Sequence, residues 1–469
     1  MCILPEVNPS DLLVKNELRL MQKRAIVGAM GLVFLAGCAG GSGLTAGRGL
    51  ITVSPSSATV QAGGMQQFTA TVTPGANPAV TWSVGGIGCT GADCGTIDGS
   101  GKYTAPATVL YPATVTVNAR AVVDPTNIGT AIVNIGSGNM AHFMAVGSMT
   151  TTRAKHTATL LPSGKVLIAG GSDGMQPLAS AELYDPASKT FTPAGSMTAA
   201  RTGHTATLLP NGKVLIAGGS DGSQPLASAE LYDPTTGTFA PTGSMKTAGV
   251  GVRAAADSVI PAVLLASGKV LFVGGSAELY DPVTGTFALA GPYADAASIS
   301  WNTATLLPDG RVLLVGGSFG ATVGEAELFD PQSGTFSLTG SRHENELNTA
   351  TLLTDGTVLV VTASFDFSPD DADIYDPASG IFTHIGQTIG FHGYSAAVRL
   401  ADGTVLISGG EAVGGSGSSF TELYLPATRT FVPANSMTTG RQMHTATLLP
   451  DGTVLIAGGM TSTAEIYTR

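Results

Sequence analysis

Cysteine is scarce in this chain of 469 residues, and all four examples lie before residue 95, at Cys2, Cys38, Cys89 and Cys94. The long remainder therefore has no disulfide bond and no thiolate metal site. Charged residues are scarce too, at 12% against about 25% in typical soluble domains. Glycine is abundant, with 63 residues. This balance favours short strands joined by tight turns.

The chain also lacks an excess of basic residues. Asp and Glu number 33 against 22 for Lys and Arg, which gives a formal net charge of -11. Proteins that bind nucleic acid through its phosphates need clustered cations. We therefore expect no nucleic acid partner.

Long apolar runs are missing as well. The run Ala25 to Leu35 follows Lys23 and Arg24 and is too short to span a bilayer as a stable helix. A short basic segment followed by such a run is typical of an export signal, and Met21 is the expected true start. We therefore expect an exported protein.

The apolar run ends in Leu35-Ala36-Gly37-Cys38, which resembles the bacterial lipoprotein signal. The resemblance implies a signal region over residues 1–38, lipidation of Cys38 and a flexible tether over 39–49. It also implies an outer membrane lipoprotein or a protein of the cell surface, with the membrane contacted through the lipid alone. The alternative is an ordinary secretory signal and a secreted or periplasmic protein.

Residues 50–137 alternate apolar and hydroxyl residues at period two, which predicts short strands of a small sandwich. Val53-Ser-Pro, the strand around Trp82 and the segment Gly95 to Pro106 resemble bacterial Ig-like domains. We expect Trp82 to lie in the core. In an exported protein, the closely spaced Cys89 and Cys94 predict a disulfide bond.

The segment Leu160 to Asp185 returns almost unchanged as Leu208 to Asp233 and continues in fragments to the end of the chain. Each unit of about 48 residues predicts four short strands, as in a propeller blade. Seven units have the first three strands, and six have the fourth. Phe143 lies one repeat interval before Phe191, so we expect residues 141–146 to supply the seventh outer strand and close the ring.

The recurring HTATLLPxGxVLIAGG and AELYDPxTGTF patterns resemble the kelch family, in the form of the galactose oxidase propeller. The resemblance covers residues 141–469 and implies an all-β fold with a seven-bladed kelch propeller after the Ig-like sandwich. Galactose oxidase holds copper with a tyrosine crosslinked to a cysteine. Because this propeller lacks cysteine, that cofactor is excluded, and we expect no metal and no cofactor.

Candidate binding residues are those on the loops that break the repeat, because a rigid scaffold presents its function on loops. Most lie in the fourth to sixth units, where aromatic, carboxylate and imidazole groups suit a sugar or peptide groove. Arg441 and His444 belong to a recurring Arg-x-x-His pattern, for which a structural role is the alternative. The candidates are Trp301, Asn302, His343, Glu344, Asn348, Phe365, Asp366, His392, Tyr394, Arg441 and His444.

These features favour a monomeric, lipid-anchored envelope protein that binds a glycan or a protein. The alternative is a carbohydrate-active enzyme on the same face, either a sugar mutarotase or a metal-dependent enzyme, and a third possibility is a purely structural protein. The sequence contains no nucleophile elbow, no P-loop and no zinc helix motif. It therefore favours binding over catalysis without deciding between them.

Overall fold

The computed structural model describes most of the chain from residue 50 onward. The described ranges are 50–73, 79–86, 94–106, 113–122, 126–136, 142–247, 261–294, 301–316, 326–341, 349–362, 368–412 and 414–469. They contain strands and turns but no α-helix, and so no helix that could cross a membrane. The predicted signal region, Cys38 and the tether lie outside these ranges.

Within the described ranges, nine strands precede the repeats. They are β1 (Leu50–Ser54), β2 (Ser57–Gln61), β3 (Met65–Gln67), β4 (Thr69–Thr73), β5 (Val80–Gly86), β6 (Thr96–Ile97), β7 (Lys102–Thr104), β8 (Ala113–Ala121) and β9 (Ile128–Gly136). They form sheets in the orders β1-β4, β2-β9-β8-β5 and β3-β7-β6.

All three of these sheets contribute to one apolar core, which includes Phe68 and Tyr103. Trp82 packs against this core while remaining partly exposed, and the Tyr103 hydroxyl donates a 2.9 Å hydrogen bond to the Cys94 carbonyl. Cys94 is disulfide-bonded. Its predicted partner, Cys89, lies outside the described residues, so that pairing stays a prediction.

Seven antiparallel four-stranded sheets follow in the described part of the chain. Sheet 1 contains β11 (Thr157–Leu160), β12 (Val166–Ala169), β13 (Leu178–Asp185) and β14 (Thr190–Arg201). Sheet 2 contains β15 (Thr205–Leu208), β16 (Val214–Ala217), β17 (Ala229–Asp233) and β18 (Thr238–Pro241). Sheet 3 contains β19 (Ala262–Leu264), β20 (Val270–Val273), β21 (Ala277–Asp281) and β22 (Thr286–Leu289).

The later sheets repeat this order. Sheet 4 contains β23 (Trp301–Leu306), β24 (Val312–Gly316), β25 (Ala326–Asp330) and β26 (Thr335–Leu338). Sheet 5 contains β27 (Thr349–Leu352), β28 (Val358–Val361), β29 (Asp371–Asp376) and β30 (Ile381–Gln387). Sheet 6 contains β31 (Ala396–Arg399), β32 (Val405–Ser408), β33 (Thr421–Leu425) and β34 (Thr430–Pro433). Sheet 7 contains β35 (Thr445–Leu448), β36 (Val454–Ala457), β37 (Ala464–Thr468) and, earlier in the chain, β10 (His142–Ala145).

The repeat pattern explains why each unit folds as it does. The second strand, such as β12, is apolar and buried at every position. It lies between two other strands of its sheet, so it is covered on both sides. Gly164 adopts a positive φ of 80° in the turn before it, where Leu161 and Lys165 pair through their backbones. The third and fourth strands are joined across their faces by aromatic pairs such as Tyr184 and Phe191, whose rings are 5.0 Å apart.

Apolar side chains join each sheet to the next along the chain. One cluster, for example, combines Leu167 of sheet 1 with Ile216 of sheet 2. Another combines Leu455 of sheet 7 with Ile168 of sheet 1. An all-β chain of four-stranded sheets that pack face to face in this way fits a propeller.

Strand β10 completes the last sheet by pairing antiparallel with β37. His142 is opposite Thr468, and Phe143 is opposite Tyr467, with their rings 5.0 Å apart. This aromatic pair has the same geometry as the one between Phe191 and Tyr184 in sheet 1. The segment that was identified from its repeat interval therefore provides the outer strand of sheet 7.

This pairing predicts that sheet 7 depends on a residue far from the rest of its strands. Phe143→Ala should lower the free energy of unfolding by about 3 kcal/mol, because it empties a buried aromatic position. The control Met144→Ala, in the same strand but 38% exposed, should change it by less than about 0.5 kcal/mol. Urea unfolding followed by circular dichroism measures both, and equal midpoints for the two variants would contradict the pairing.

Candidate functional site

The two ends of each sheet differ in their connections. Because the strands are antiparallel, tight turns join strands one and two and strands three and four at one end, called here the turn end. The connections between strands two and three, and from one sheet to the next, lie at the opposite end, called here the loop end. Longer connections held by a rigid scaffold are where binding residues concentrate.

A buried arginine organises the loop end of sheets 1, 2 and 7. The Arg153 guanidinium donates hydrogen bonds to the carbonyls of Gly170 and Ser180 and forms a 3.0 Å ion pair with Glu182. Glu182 also accepts the backbone N–H of Thr150. The guanidinium therefore bonds the Gly170 carbonyl and adds a second hydrogen bond to the Ser180 carbonyl, which also accepts the Gly170 N–H.

The same arrangement recurs twice. Arg201 pairs with Glu230 at 3.0 Å, and Arg441 pairs with Glu465 at 2.9 Å, with all four side chains buried. Arg441 also donates to the carbonyls of Gly458 and Thr463. Its hydrogen-bonding capacity is used within the protein, so we assign Arg441 to the scaffold.

His392 takes the place of this arginine in sheet 6. It is fully buried, and its Nδ1 atom lies 3.1 Å from the carbonyl of Gly409, as the guanidinium does in sheet 7. Its Nε2 atom lies 3.1 Å from Glu422, although off the line of a hydrogen bond. The Asp370 carboxylate accepts its backbone N–H at 2.9 Å. We therefore assign His392 to the scaffold as well.

Buried histidines connect neighbouring sheets. His156 of sheet 1 lies 3.0 Å from the Thr445 hydroxyl of sheet 7, and His204 of sheet 2 lies 3.0 Å from the Thr157 hydroxyl of sheet 1. His444 of sheet 7 instead contacts Ser408 of sheet 6 at 2.9 Å. In sheet 6 the position equivalent to Thr157 and Thr445 is Ala396. Ser408, which pairs with Ala396 across the two strands, supplies the hydroxyl instead.

The Gly-Gly pair is required by these histidines. A Cβ at Gly170 would lie 2.6 Å from Cε1 of His204, and one at Gly458 would lie 2.5 Å from Cε1 of His156. Any side chain at these positions would displace the histidine of the next sheet. The glycine pair therefore serves packing between sheets.

Burial keeps the three histidines uncharged. Desolvation, reinforced by the neighbouring arginines, lowers the pKa of His156, His204 and His444 to about 3. The Nδ1 atom of each has no hydrogen-bond partner within the described part of the chain. These neutral side chains are structural, and His444, like Arg441, belongs to the scaffold.

One position of each Arg-x-x-His segment, the residue before the histidine, differs in sequence from segment to segment. Lys155, Gly203 and Met443 precede the histidines, and Tyr394 holds the equivalent place in sheet 6. We call these four residues the inner arc. Their backbones form a continuous chain of hydrogen bonds, from Gly203 N to Lys155 O at 3.0 Å, Lys155 N to Met443 O at 3.0 Å and Met443 N to Tyr394 O at 2.9 Å.

Every inner-arc residue adopts the left-handed backbone conformation, with φ of 53° at Lys155, 63° at Gly203, 60° at Tyr394 and 56° at Met443. Only glycine adopts this conformation without strain. Tyr394 is 48% exposed, and Lys155 and Met443 are partly buried. Burial lowers the pKa of the Lys155 amine. A tyrosine, a methionine and a lysine thus follow one another along the inner arc at the loop end.

Two polar residues flank the inner arc. The Glu411 backbone N–H donates a 2.6 Å hydrogen bond to the Gly393 carbonyl, next to Tyr394. The Gln442 side chain, next to Met443, donates to the Gly415 carbonyl at 2.9 Å. These contacts place Glu411 next to the backbone of Tyr394 and fix the Gln442 side chain beside the arc.

The structure separates the predicted site residues into four groups. Tyr394 is exposed in the inner arc, whereas His392, Arg441 and His444 are buried. Trp301 and Asn302 lie in β23, but their side chains are not among those described. Those outside the described residues are His343, Glu344, Asn348, Phe365 and Asp366.

Lys155 and Met443 were not among the predicted site residues. Both lie within a segment whose arginine and histidine recur, and that regularity pointed to scaffold. The signal that could have found them is the variation between lysine, glycine and methionine at one position flanked by two constant ones.

Comparison with known proteins supports a kelch β-propeller. The Kelch motif matches residues 154–198 and 201–246. The chain is also similar to a solved structure described as a novel fungal alcohol oxidase with catalytic diversity among the AA5 family, in complex with copper. The TM-score is 0.56 at 16% sequence identity, over 70% of this chain and 76% of that one. No curated protein matches the chain.

The described residues do not fit a copper site. They contain no group of three or more His, Cys, Asp or Glu side chains close enough to hold a metal ion. The three neutral histidines instead face hydroxyl groups of neighbouring sheets, and no cysteine follows Cys94. The similarity to the copper oxidase therefore extends to the fold alone.

The neutral histidines predict a loss of stability in acid. Each has a pKa of about 3 when folded against 6.5 in the unfolded chain, so below pH 6.5 the unfolded state binds more protons. Stability should therefore fall by about 1.4 kcal/mol per pH unit for each histidine as the pH drops from 6.5 towards 3. His204→Gln should make this slope shallower by that amount in urea titrations at several pH values. His142→Gln, at an exposed position, should keep the original slope, and equal slopes for the two variants would refute this account.

The strained inner arc predicts opposite effects of two matched substitutions. Lys155→Gly should raise the free energy of unfolding by about 0.5–1 kcal/mol, because glycine accepts the left-handed conformation. Gly203→Ala, at the equivalent position, should lower it by about 1 kcal/mol. Thermal unfolding of the two variants beside the wild type tests this, and a melting temperature lowered by Lys155→Gly would contradict it.

Proposed function

We propose that the chain is an exported, lipid-anchored cell-envelope protein that binds a glycan or a protein with the loop end of a kelch propeller. In this proposal Cys38 carries the lipid, residues 39–49 form the tether, and an Ig-like domain over residues 50–137 holds the propeller away from the membrane. The lipoprotein resemblance and the period-two strands support these assignments.

The propeller of this proposal has seven blades, one for each sheet. Two features support the number and the closure of the ring. Apolar clusters join successive sheets and also join sheet 7 to sheet 1. Strand β10 adds the outer strand of the seventh blade by pairing with β37.

The inner arc is the observation that carries the binding function. Residues held in strained conformations cluster at functional sites, because elsewhere glycine would be selected. Gly203 shows that glycine is compatible with the arc, yet Lys155, Tyr394 and Met443 retain side chains. The exposed Tyr394 ring is suited to stacking on a sugar or a peptide, and nearby polar residues such as Glu411 and Gln442 would bond the polar groups of that ligand.

The binding proposal predicts that stability and binding can be separated at Tyr394. Tyr394→Gly should weaken ligand binding at least tenfold, because it removes the exposed ring, while keeping or raising the melting temperature, because it relieves strain. The ligand is first identified on an array of glycans and candidate envelope proteins, with the purified full-length chain. Calorimetry then measures the affinity.

The matched control is Val283→Ser. Val283 is 92% exposed but lies in the turn between β21 and β22, at the turn end. It should bind the same ligand as tightly as the wild type. Equal binding by Tyr394→Gly and the wild type would place the ligand elsewhere on the protein.

A further inference from the structure

The first strands of the seven sheets lie side by side. Each contacts the first strand of the following sheet, and β35 of sheet 7 contacts β11 of sheet 1. In six sheets this strand ends, at the turn end, in a partly buried leucine: Leu160, Leu208, Leu264, Leu306, Leu352 and Leu448. Sheet 6 has Arg399 at this position. The turn-end tips of the first strands are therefore apolar except for one cation.

The Arg399 guanidinium is anchored through one nitrogen. Its Nη1 atom donates a 2.8 Å hydrogen bond to the Leu352 carbonyl of sheet 5. Its Nε and Nη2 atoms form no hydrogen bond within the described part of the chain, and solvent reaches both. The N–H groups of these two atoms point in parallel from one edge of the guanidinium. A carboxylate binds to such an edge through both of its oxygens.

Other arginines at the turn end show that this edge is used when a carboxylate is near. The Nε and Nη2 atoms of Arg311 lie 2.7 and 2.6 Å from one carboxylate oxygen of Asp309. Arg469 forms an ion pair with Asp402. Arg399, in contrast, has no ion pair with the residues that the structure describes. Its open edge can therefore accept a carboxylate from another molecule.

We propose that Arg399 and the leucines beside it bind an amphiphilic monocarboxylate, an acyl chain with one carboxylate, at the turn end. The Nε and Nη2 atoms hold the carboxylate, and the partly exposed Leu352 and Leu448 of the two neighbouring sheets cover part of the chain. One guanidinium matches one negative charge. The exposed turn residues Asp355 and Asp451 at the same end disfavour a more highly charged anion such as phosphate.

This site is separate from the inner arc, because the two lie at opposite ends of the sheets. The inference therefore goes beyond the proposed loop-end function and does not depend on it. A result at one end leaves the other unaffected.

The test is calorimetric titration of the full-length protein with sodium octanoate. The wild type should bind it, and Arg399→Leu should weaken binding by a factor of about ten or more, because the carboxylate loses its paired donors. This variant introduces the residue that the other six sheets carry, and circular dichroism checks its fold. The control Arg429→Leu removes the same charge from the exposed turn between β33 and β34 of sheet 6, and it should bind octanoate like the wild type.

Two further titrations of the wild type need no variant. Butyrate keeps the carboxylate but has a shorter chain, and 1-octanol keeps the chain but has no charge, so each should bind more weakly than octanoate by a factor of about ten or more. The proposal would be overturned by a wild type that does not bind octanoate or by equal affinities of the wild type and Arg399→Leu. Octanol or inorganic phosphate binding as tightly as octanoate would also overturn it.

Discussion

A buried guanidinium at the end of a strand pair is the interaction on which the loop end depends. It neutralises a glutamate that no water can reach and occupies carbonyls that would otherwise be costly to bury. Once Arg153 and Glu182 are paired, the glycine pair can approach the histidine of the next sheet closely. That histidine in turn bonds to a hydroxyl of the neighbouring strand. Charge, packing and sheet-to-sheet contact are therefore parts of one arrangement.

In sheets 1, 2, 6 and 7 this arrangement leaves one position that varies in sequence. The backbones of the inner arc are linked by hydrogen bonds that do not involve the side chains at these positions. The cost is conformational, because three of the four residues carry a side chain in a conformation that favours glycine. A rigid frame with variable side chains at a strained rim is suited to recognition, and it explains how a repeat can be regular and still carry a specific site.

Much of the fold follows from spacing in the sequence. The interval from Phe143 to Phe191 identified the outer strand of sheet 7. The repeat interval shows that a segment is an outer strand even when its partner strands lie at the other end of the chain. The candidate site was harder to predict. His392 and His444 were both predicted to bind a ligand, but one replaces an arginine and the other contacts a serine across a sheet boundary. Such roles depend on contacts between units, which local patterns do not contain.

The pairing of β10 with β37 has a consequence for how the protein is made. Strand β10 is synthesised before all other strands of the seven sheets, but its partner β37 is synthesised last. Strand β10 therefore stays unpaired until synthesis of the chain is almost complete. At ordinary rates of synthesis this wait lasts on the order of half a minute. Throughout that time both ends of the array present open sheet edges, which favour aggregation. A protein of this design therefore gains from being kept unfolded until its chain is complete.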